Sequence, residues 1–288
     1  MGVNSYRFSI AWTRILPRGR YGDLNPDGIT FYNAIIDALL QKGIEPVVTI
    51  FHYDLPFELE EKYGGWLSPN IQKDFGYFAE LCFKMFGDRV KLWITFNEPN
   101  LLAKYSYMDG WYPPGYCFKP FGNYPTDGDA LALGLGVRDG KPIGEPTGSS
   151  TVFIVPEGME KVVMFYKERY NNTPIYIAEN GYAQASNSSM TTKDFTNGVG
   201  RVKYMRGHLT YLASAIRKGA DVRGYFVWTL LDSFEWNLGF TQRYGLHHVD
   251  FKTLKRTPEL SARWYRMFLK GPLLQEKPEN ELELHHEE

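Results

Sequence analysis

Glu98 and Glu179 are the residues of this chain whose surroundings best equip them for chemistry. Glu98 lies in Trp93-Ile94-Thr95-Phe96-Asn97-Glu98-Pro99 and Glu179 in Ile175-Tyr176-Ile177-Ala178-Glu179-Asn180-Gly181. In each case a short apolar run gives way to a polar turn closed by Pro or Gly. That pattern presents the carboxyl at the carboxyl end of a strand, where barrel enzymes carry their reactive groups. Two carboxyls brought by different strands to one cleft are the parts for cleaving a glycosidic bond, one as proton donor and one as nucleophile or base. A retaining reaction needs them about 5 to 5.5 Å apart, and burial beside a second negative charge would keep the donor protonated.

The elements that must position them follow a βα alternation, which implies an α/β chain with a parallel sheet. Apolar runs at Tyr6–Ile10, Pro46–Phe51, Lys91–Phe96, Pro174–Ala178 and Gly224–Thr229 read as strands. Helical spacing covers residues near 27–42, 70–86, 157–170 and 194–218, and a last helix runs from Pro258 to Leu269 behind Thr257 as its N-cap. Five strands are thus readable where a closed (β/α)8 TIM barrel has eight, so the expected fold is an incomplete barrel. Residues 1–271 read as one barrel-type domain and 272–288 as a charged tail. Residues 110–148 are crowded with Gly and Pro and show no convincing strand, which marks either a large loop or missing sequence.

Composition excludes several classes. Lys+Arg 32 against Asp+Glu 33 leaves a net charge of -1, without the basic excess a nucleic-acid binder needs. No long apolar run suggests a membrane partner, and no signal peptide opens the chain. Asn171-Asn172-Thr173 and Asn187-Ser188-Ser189 match the N-glycosylation pattern, which is consistent with a secretory route and leaves the compartment open. Two cysteines give no disulfide framework: Cys82 falls on the apolar side of a helical pattern, and Cys117 sits in the Pro/Gly-rich stretch. His247-His248 and His285-His286 lack a third spaced ligand, so no metal is expected. The glycines from Gly134 to Gly144 carry neither a phosphate-loop lysine nor a dinucleotide fingerprint, and no cofactor is expected.

Several motifs resemble glycoside hydrolase family 1, the β-glucosidase family, and its plant members in particular. Thr95-Phe96-Asn97-Glu98-Pro99, Ile177-Ala178-Glu179-Asn180-Gly181 and the run Gly224-Tyr225-Phe226-Val227-Trp228-Thr229-Leu230-Leu231-Asp232-Ser233-Phe234-Glu235-Trp236 carry the resemblance. Phe51-His52-Tyr53-Asp54-Leu55-Pro56 and Tyr63-Gly64-Gly65-Trp66-Leu67 add to it. It extends from Ser5 to about Gly271 apart from the Gly/Pro-rich stretch. The family fold is the eight-stranded barrel. Relative to it this chain lacks the first strand, with its sugar-binding glutamine, and the fifth and sixth strands, which would lie before Tyr124-Pro125-Thr126-Asp127.

The resemblance implies a retaining β-glucosidase acting on O-linked β-D-glucosides, phenolic or monolignol glucosides among them. It makes Glu98 the acid/base and Glu179 the nucleophile, and assigns sugar contacts to His52, Asn97, Trp228, Glu235 and Trp236. Trp228 would floor the ring, while Glu235 and Trp236 would hold the 4- and 6-hydroxyls. Ala178 stands where the family usually has threonine. Glu98 is a glutamate where the thioglucosidase branch has glutamine, which favours O-glycosides. The alternative is a catalytically impaired splice or truncation product that retains sugar binding at most. Open sheet edges left by missing strands would also favour self-association. Together with the two N-glycosylation patterns, the family resemblance suggests an extracellular or vacuolar location.

Overall fold

The computed structural model describes residues 1–115, 137–138, 141–149 and 151–271. Cys117, the His285-His286 pair, the 272–288 tail and most of 110–148 lie outside the described residues. The described chain forms two compact units, one from Val3 to Gly140 and one from Lys141 onward.

The first unit is built on three parallel strands, β1 (Ser5–Ser9), β2 (Glu45–Phe51) and β3 (Leu92–Phe96), with β2 in the centre. Its residues from Val47 to Phe51 are all buried, as an inner parallel strand covered on both faces requires. Helix α1 (Pro26–Gln41) starts at Asn25, whose side chain accepts from the Asp27 amide, with Pro26 in the first turn. Gly28 lets α1 approach the preceding segment, because a Cβ there would come within 2.1 Å of the Arg14 carbonyl oxygen. Helix α2 (Ile71–Phe86) buries Ile71, Asp74, Phe78, Cys82 and Phe86, a stripe at helical spacing. Trp12 stacks on Phe78 at 4.8 Å in the core between these helices and the sheet. Burial pushes the Cys82 thiol up to about 12, so it behaves as an inert apolar side chain.

In the second unit β4 (Ile175–Asn180) pairs in parallel with β5 (Val222–Val227). Helices α3 (Pro156–Arg169) and α4 (Val199–Arg217) pack on each other, and α5 (Leu260–Leu269) follows. All five strands expected from the sequence form, and all are parallel to their neighbours. Among the described residues they do not close: the sheets remain three-stranded and two-stranded, an incomplete barrel.

Three local expectations need correction. The last helix begins at Leu260, because Arg256–Pro258 is extended and Thr257 pairs with His248 in an antiparallel ladder. The helical stretch near 194–218 is broken at Asn197–Gly198 into Thr192–Thr196 and α4. The described part of the Gly/Pro-rich region holds short strands: Val137–Arg138 in one sheet with Lys141–Pro142, and Glu145–Pro146 paired with Phe153–Ile154. Two-residue ladders leave no periodicity for a sequence reading to find.

Glu259, just before α5, is fully buried against the Arg201 guanidinium of α4. Burial pushes its carboxyl up to about 7, opposed by Arg201 and reinforced by the charge of Asp232. The folded state therefore keeps a proton that the unfolded chain releases near 4.5, and stability from this group falls as pH rises from about 4.5 to about 7. Urea midpoints at pH about 5 and about 8 should show that fall, and Glu259→Gln, which cannot titrate, should flatten it.

Candidate active site

The first cluster lies at the carboxyl ends of the first unit's strands. Phe51 of β2 is level with Phe96 of β3, and the Asn97 amide donates to the Phe51 carbonyl at 2.9 Å, so His52 and Asn97 leave the sheet side by side. Arg7 on β1 donates to the Asn97 side-chain oxygen at 2.8 Å and to the Thr49 hydroxyl at 2.9 Å. A guanidinium only donates, so this contact fixes which end of the Asn97 amide is oxygen. The Asn97 nitrogen, on a side chain only 5% exposed, then faces the His52 Nε2 at 3.1 Å and the Glu98 carboxylate at 3.2 Å. The Tyr53 hydroxyl donates to the same Glu98 oxygen at 3.1 Å.

Burial, with the Arg7 charge nearby, lowers His52 to about 4. A neutral ring accepts the Asn97 N–H at Nε2 and keeps its proton on Nδ1. Two residues here have left-handed backbone, Tyr53 at φ 72° and Glu98 at φ 39°. Such conformations cost about 1 to 3 kcal/mol each and concentrate where side chains must be aimed. Glu98 itself is exposed, against the expectation of a buried proton donor. Among the described residues β3, the strand that precedes it, is an edge strand of its sheet.

The second cluster belongs to the other unit. Glu179 is half-buried near the end of β4, and the next residue, Asn180, is held by the Tyr225 hydroxyl at 2.7 Å and by the Tyr204 hydroxyl at 3.1 Å. Trp228 follows β5 and its amide donates to the Asn180 carbonyl at 3.0 Å, which sets the indole beside the Glu179 segment. Glu235 bonds the Trp228 side chain and Ser233. Burial raises its carboxyl, and the Glu179 charge raises it further, so the two acids share one neighbourhood. Trp236 is 39% exposed next to Glu235, with φ at 44°.

The structure thus gathers His52, Asn97 and Glu98 in one unit and Glu179, Trp228 and Glu235 in the other, with Trp236 at the rim of the second. Arg7 and Tyr53 were not singled out from the sequence. Arg7 had a signal, since a charged residue inside the strand Ser5-Tyr6-Arg7-Phe8-Ser9 must find a partner. The Tyr225, Asn180 and Tyr204 contacts join residues far apart in sequence and had none. Of the histidine pairs, His248 stacks on Phe195 at 4.8 Å and His247 bonds the Leu230 carbonyl. Among the described residues no three His, Cys, Asp or Glu gather in a metal-binding arrangement.

Each unit thus carries an acid at or just after the end of a parallel strand, Glu98 beside Asn97 and His52 in one and Glu179 near Glu235 in the other. The chain belongs to glycosyl hydrolase family 1, whose family profile matches residues 1–128 and 135–271. It is 46% identical over 418 positions to a rice (Oryza sativa subsp. japonica) protein named "Probable inactive beta-glucosidase 14", covering 99% of this chain and 81% of that protein. The coniferin beta-glucosidase of Pinus contorta is 36% identical over 406 positions, covering 93% and 79%. The crystal structure of a rice beta-glucosidase superposes with a TM-score of 0.84 at 32% identity, covering 92% of this chain and 84% of that one. Because 418 aligned positions exceed the 288 residues of this chain, well over a hundred of them are filled only in the rice relative. The family match is itself interrupted between residues 128 and 135.

The neutral state of His52 has a pH consequence. Its folded value lies below the unfolded 6.5, so stability from this group is full above about 6.5 and is lost as pH falls toward about 4. Nuclear magnetic resonance of the ring nitrogens should show His52 titrating with a midpoint near 4, and Arg7→Gln should raise that midpoint by removing the opposing charge.

Proposed function

We propose that this chain is a retaining β-glucosidase-type hydrolase of O-linked β-D-glucosides, with Glu98 as acid/base and Glu179 as nucleophile. The observation that carries the reading is the Asn97 side chain, oriented by Arg7 and donating toward both His52 and Glu98. In this reading Glu98 gives a proton to the glycosidic oxygen while Glu179 attacks the anomeric carbon and the aglycone leaves. Water, deprotonated by Glu98, then displaces Glu179 from the covalent glycosyl intermediate. His52 and Asn97 hold ring hydroxyls, Trp228 floors the ring, and Glu235 and Trp236 take the outer hydroxyls. The name of the pine relative supports phenolic glucosides of the monolignol kind as the substrate class.

A second reading, a catalytically impaired chain that still binds sugar, is favoured by the exposure of Glu98 and by the name of the rice relative.

Hydrolysis of an aryl β-glucoside by the purified chain, with a 2-fluoroglucoside as trap, separates the two. The first reading expects turnover and a glycosyl adduct on the peptide containing Glu179. In Glu179→Ala the adduct should vanish and turnover should fall by about four orders of magnitude. A cooperatively folded sample with neither turnover nor adduct would leave the second reading standing.

A further inference from the structure

Asp232 belongs to the longest motif of the sequence, yet none of the roles proposed above uses it. Its side chain is buried, with the residue 5% exposed. The segment after β5 runs alongside residues 244–247: Thr229 N–H donates to the Tyr244 carbonyl at 3.1 Å, Leu246 N–H to Thr229 at 2.8 Å, His247 N–H to Leu230 at 3.1 Å, and Asp232 N–H to His247 at 3.2 Å. The Asp232 carboxylate locks this pairing. Its Oδ1 accepts from the Gly245 amide at 3.0 Å, and its Oδ2 from the Val249 amide at 3.1 Å and from Arg243 Nη1 at 2.8 Å. His248 Nδ1 lies 3.4 Å from the same oxygen. Residue 245 has to be glycine, because a Cβ there would come within 2.4 Å of the Asp232 nitrogen.

Arg243 ties the same carboxylate to the loop leaving the Glu179 strand. It ends the strand Gln242–Arg243, which pairs antiparallel with Gln184–Ala185, and its Nε donates to Ser186 at 3.3 Å. Its guanidinium lies over the Phe195 and Phe251 rings at 4.6 and 4.8 Å. From behind, Arg201 donates to the carbonyl of Arg243 at 3.0 Å and to that of Gly245. One buried ion pair therefore joins the loop that follows Glu179 to the loop that carries Glu235. Charge-assisted bonds of this kind are the strong ones, and leaving such a partner unmade is expensive.

We propose that Asp232, through its ion pair with Arg243, is the positioning residue that sets Glu235 relative to Glu179 for sugar binding. The inference rests on the proposed sugar-binding role of Glu235. Asp232 acts through the backbone: three residues on, the Glu235 amide donates to the Gly239 carbonyl at 2.7 Å and closes the tip of the loop. Replacing the carboxylate by an amide would turn an NH2 either toward the Gly245 donor or toward the Val249 and Arg243 donors, and loosen the base of that loop.

The test uses the full chain with Asp232→Asn, Glu235→Gln and the double variant, titrated with glucose by tryptophan fluorescence. Hydrogen exchange of residues 233–239 is followed in parallel without sugar. Asp232→Asn should weaken glucose binding about tenfold and speed exchange in 233–239. The double variant should bind no more weakly than Glu235→Gln alone, because both changes remove the same contact. A loss that adds in full to that of Glu235→Gln would overturn the inference, as would unchanged exchange. Should the parent chain bind no glucose, the sugar-site reading fails by itself, while the exchange measurement still decides whether Asp232 holds the loop. If Asp232→Asn does not fold, Arg243→Lys, which keeps the charge but loses the fork, gives the same readings.

Discussion

The parallel register of the strands is the constraint on which the rest of this molecule depends. Pairing Phe51 with Phe96 makes His52 and Asn97 neighbours, and pairing Val227 with Asn180 makes Trp228 a neighbour of the Glu179 segment. Shifting one ladder by one residue would turn that strand's side chains to the opposite face and dissolve the cluster at its end. The register in turn depends on apolar contacts: the buried run Val47–Phe51 and the Trp12 and Phe78 stack fix the first sheet. Asn180, which donates to the Tyr204 hydroxyl and accepts from the Tyr225 hydroxyl, ties the second to its helix and its neighbouring strand.

On this frame the polar groups are tuned by burial as much as by charge. His52 is kept neutral because its ring is desolvated and faces Arg7. Glu235 and Glu259 are raised mainly because they are desolvated, each with another acid nearby. Asp232 is buried as well, and its two oxygens are ringed by two amides and a guanidinium. A carboxyl group thus stands in two different settings three residues apart, raised by burial at Glu235 and ringed by donors at Asp232.

The open edges of the two sheets are the main physical departure from a closed barrel. A closed barrel pairs every strand on both sides and removes edges altogether. Among the described residues β3 ends its sheet, and the acid that follows it is exposed. The long alignment with the rice relative accounts for this: positions present there have no counterpart in this chain. The family's motifs are thus present on strands that form no closed barrel among the described residues.

Much was legible from the sequence. The five strands, the principal helices, the buried Cys82 and the family membership follow from apolar periodicity and from motifs in which neighbouring residues do the signalling. Contiguous motifs survive translation into structure because strand ends are local: Asn97 and Glu98 leave the sheet wherever β3 lies. The start of α5 was misplaced because Thr257 and Pro258 suit a helix start by local rule, whereas a ladder with His248, distant in sequence, holds them extended. Arg7 over Asn97, Tyr225 on Asn180 and Arg243 on Asp232 are likewise contacts between segments separated along the chain. The sequence by itself determined which residues stand at the strand ends. Only the tertiary structure decided their partners and the neutral state of His52, because those depend on which distant segments pack beside them.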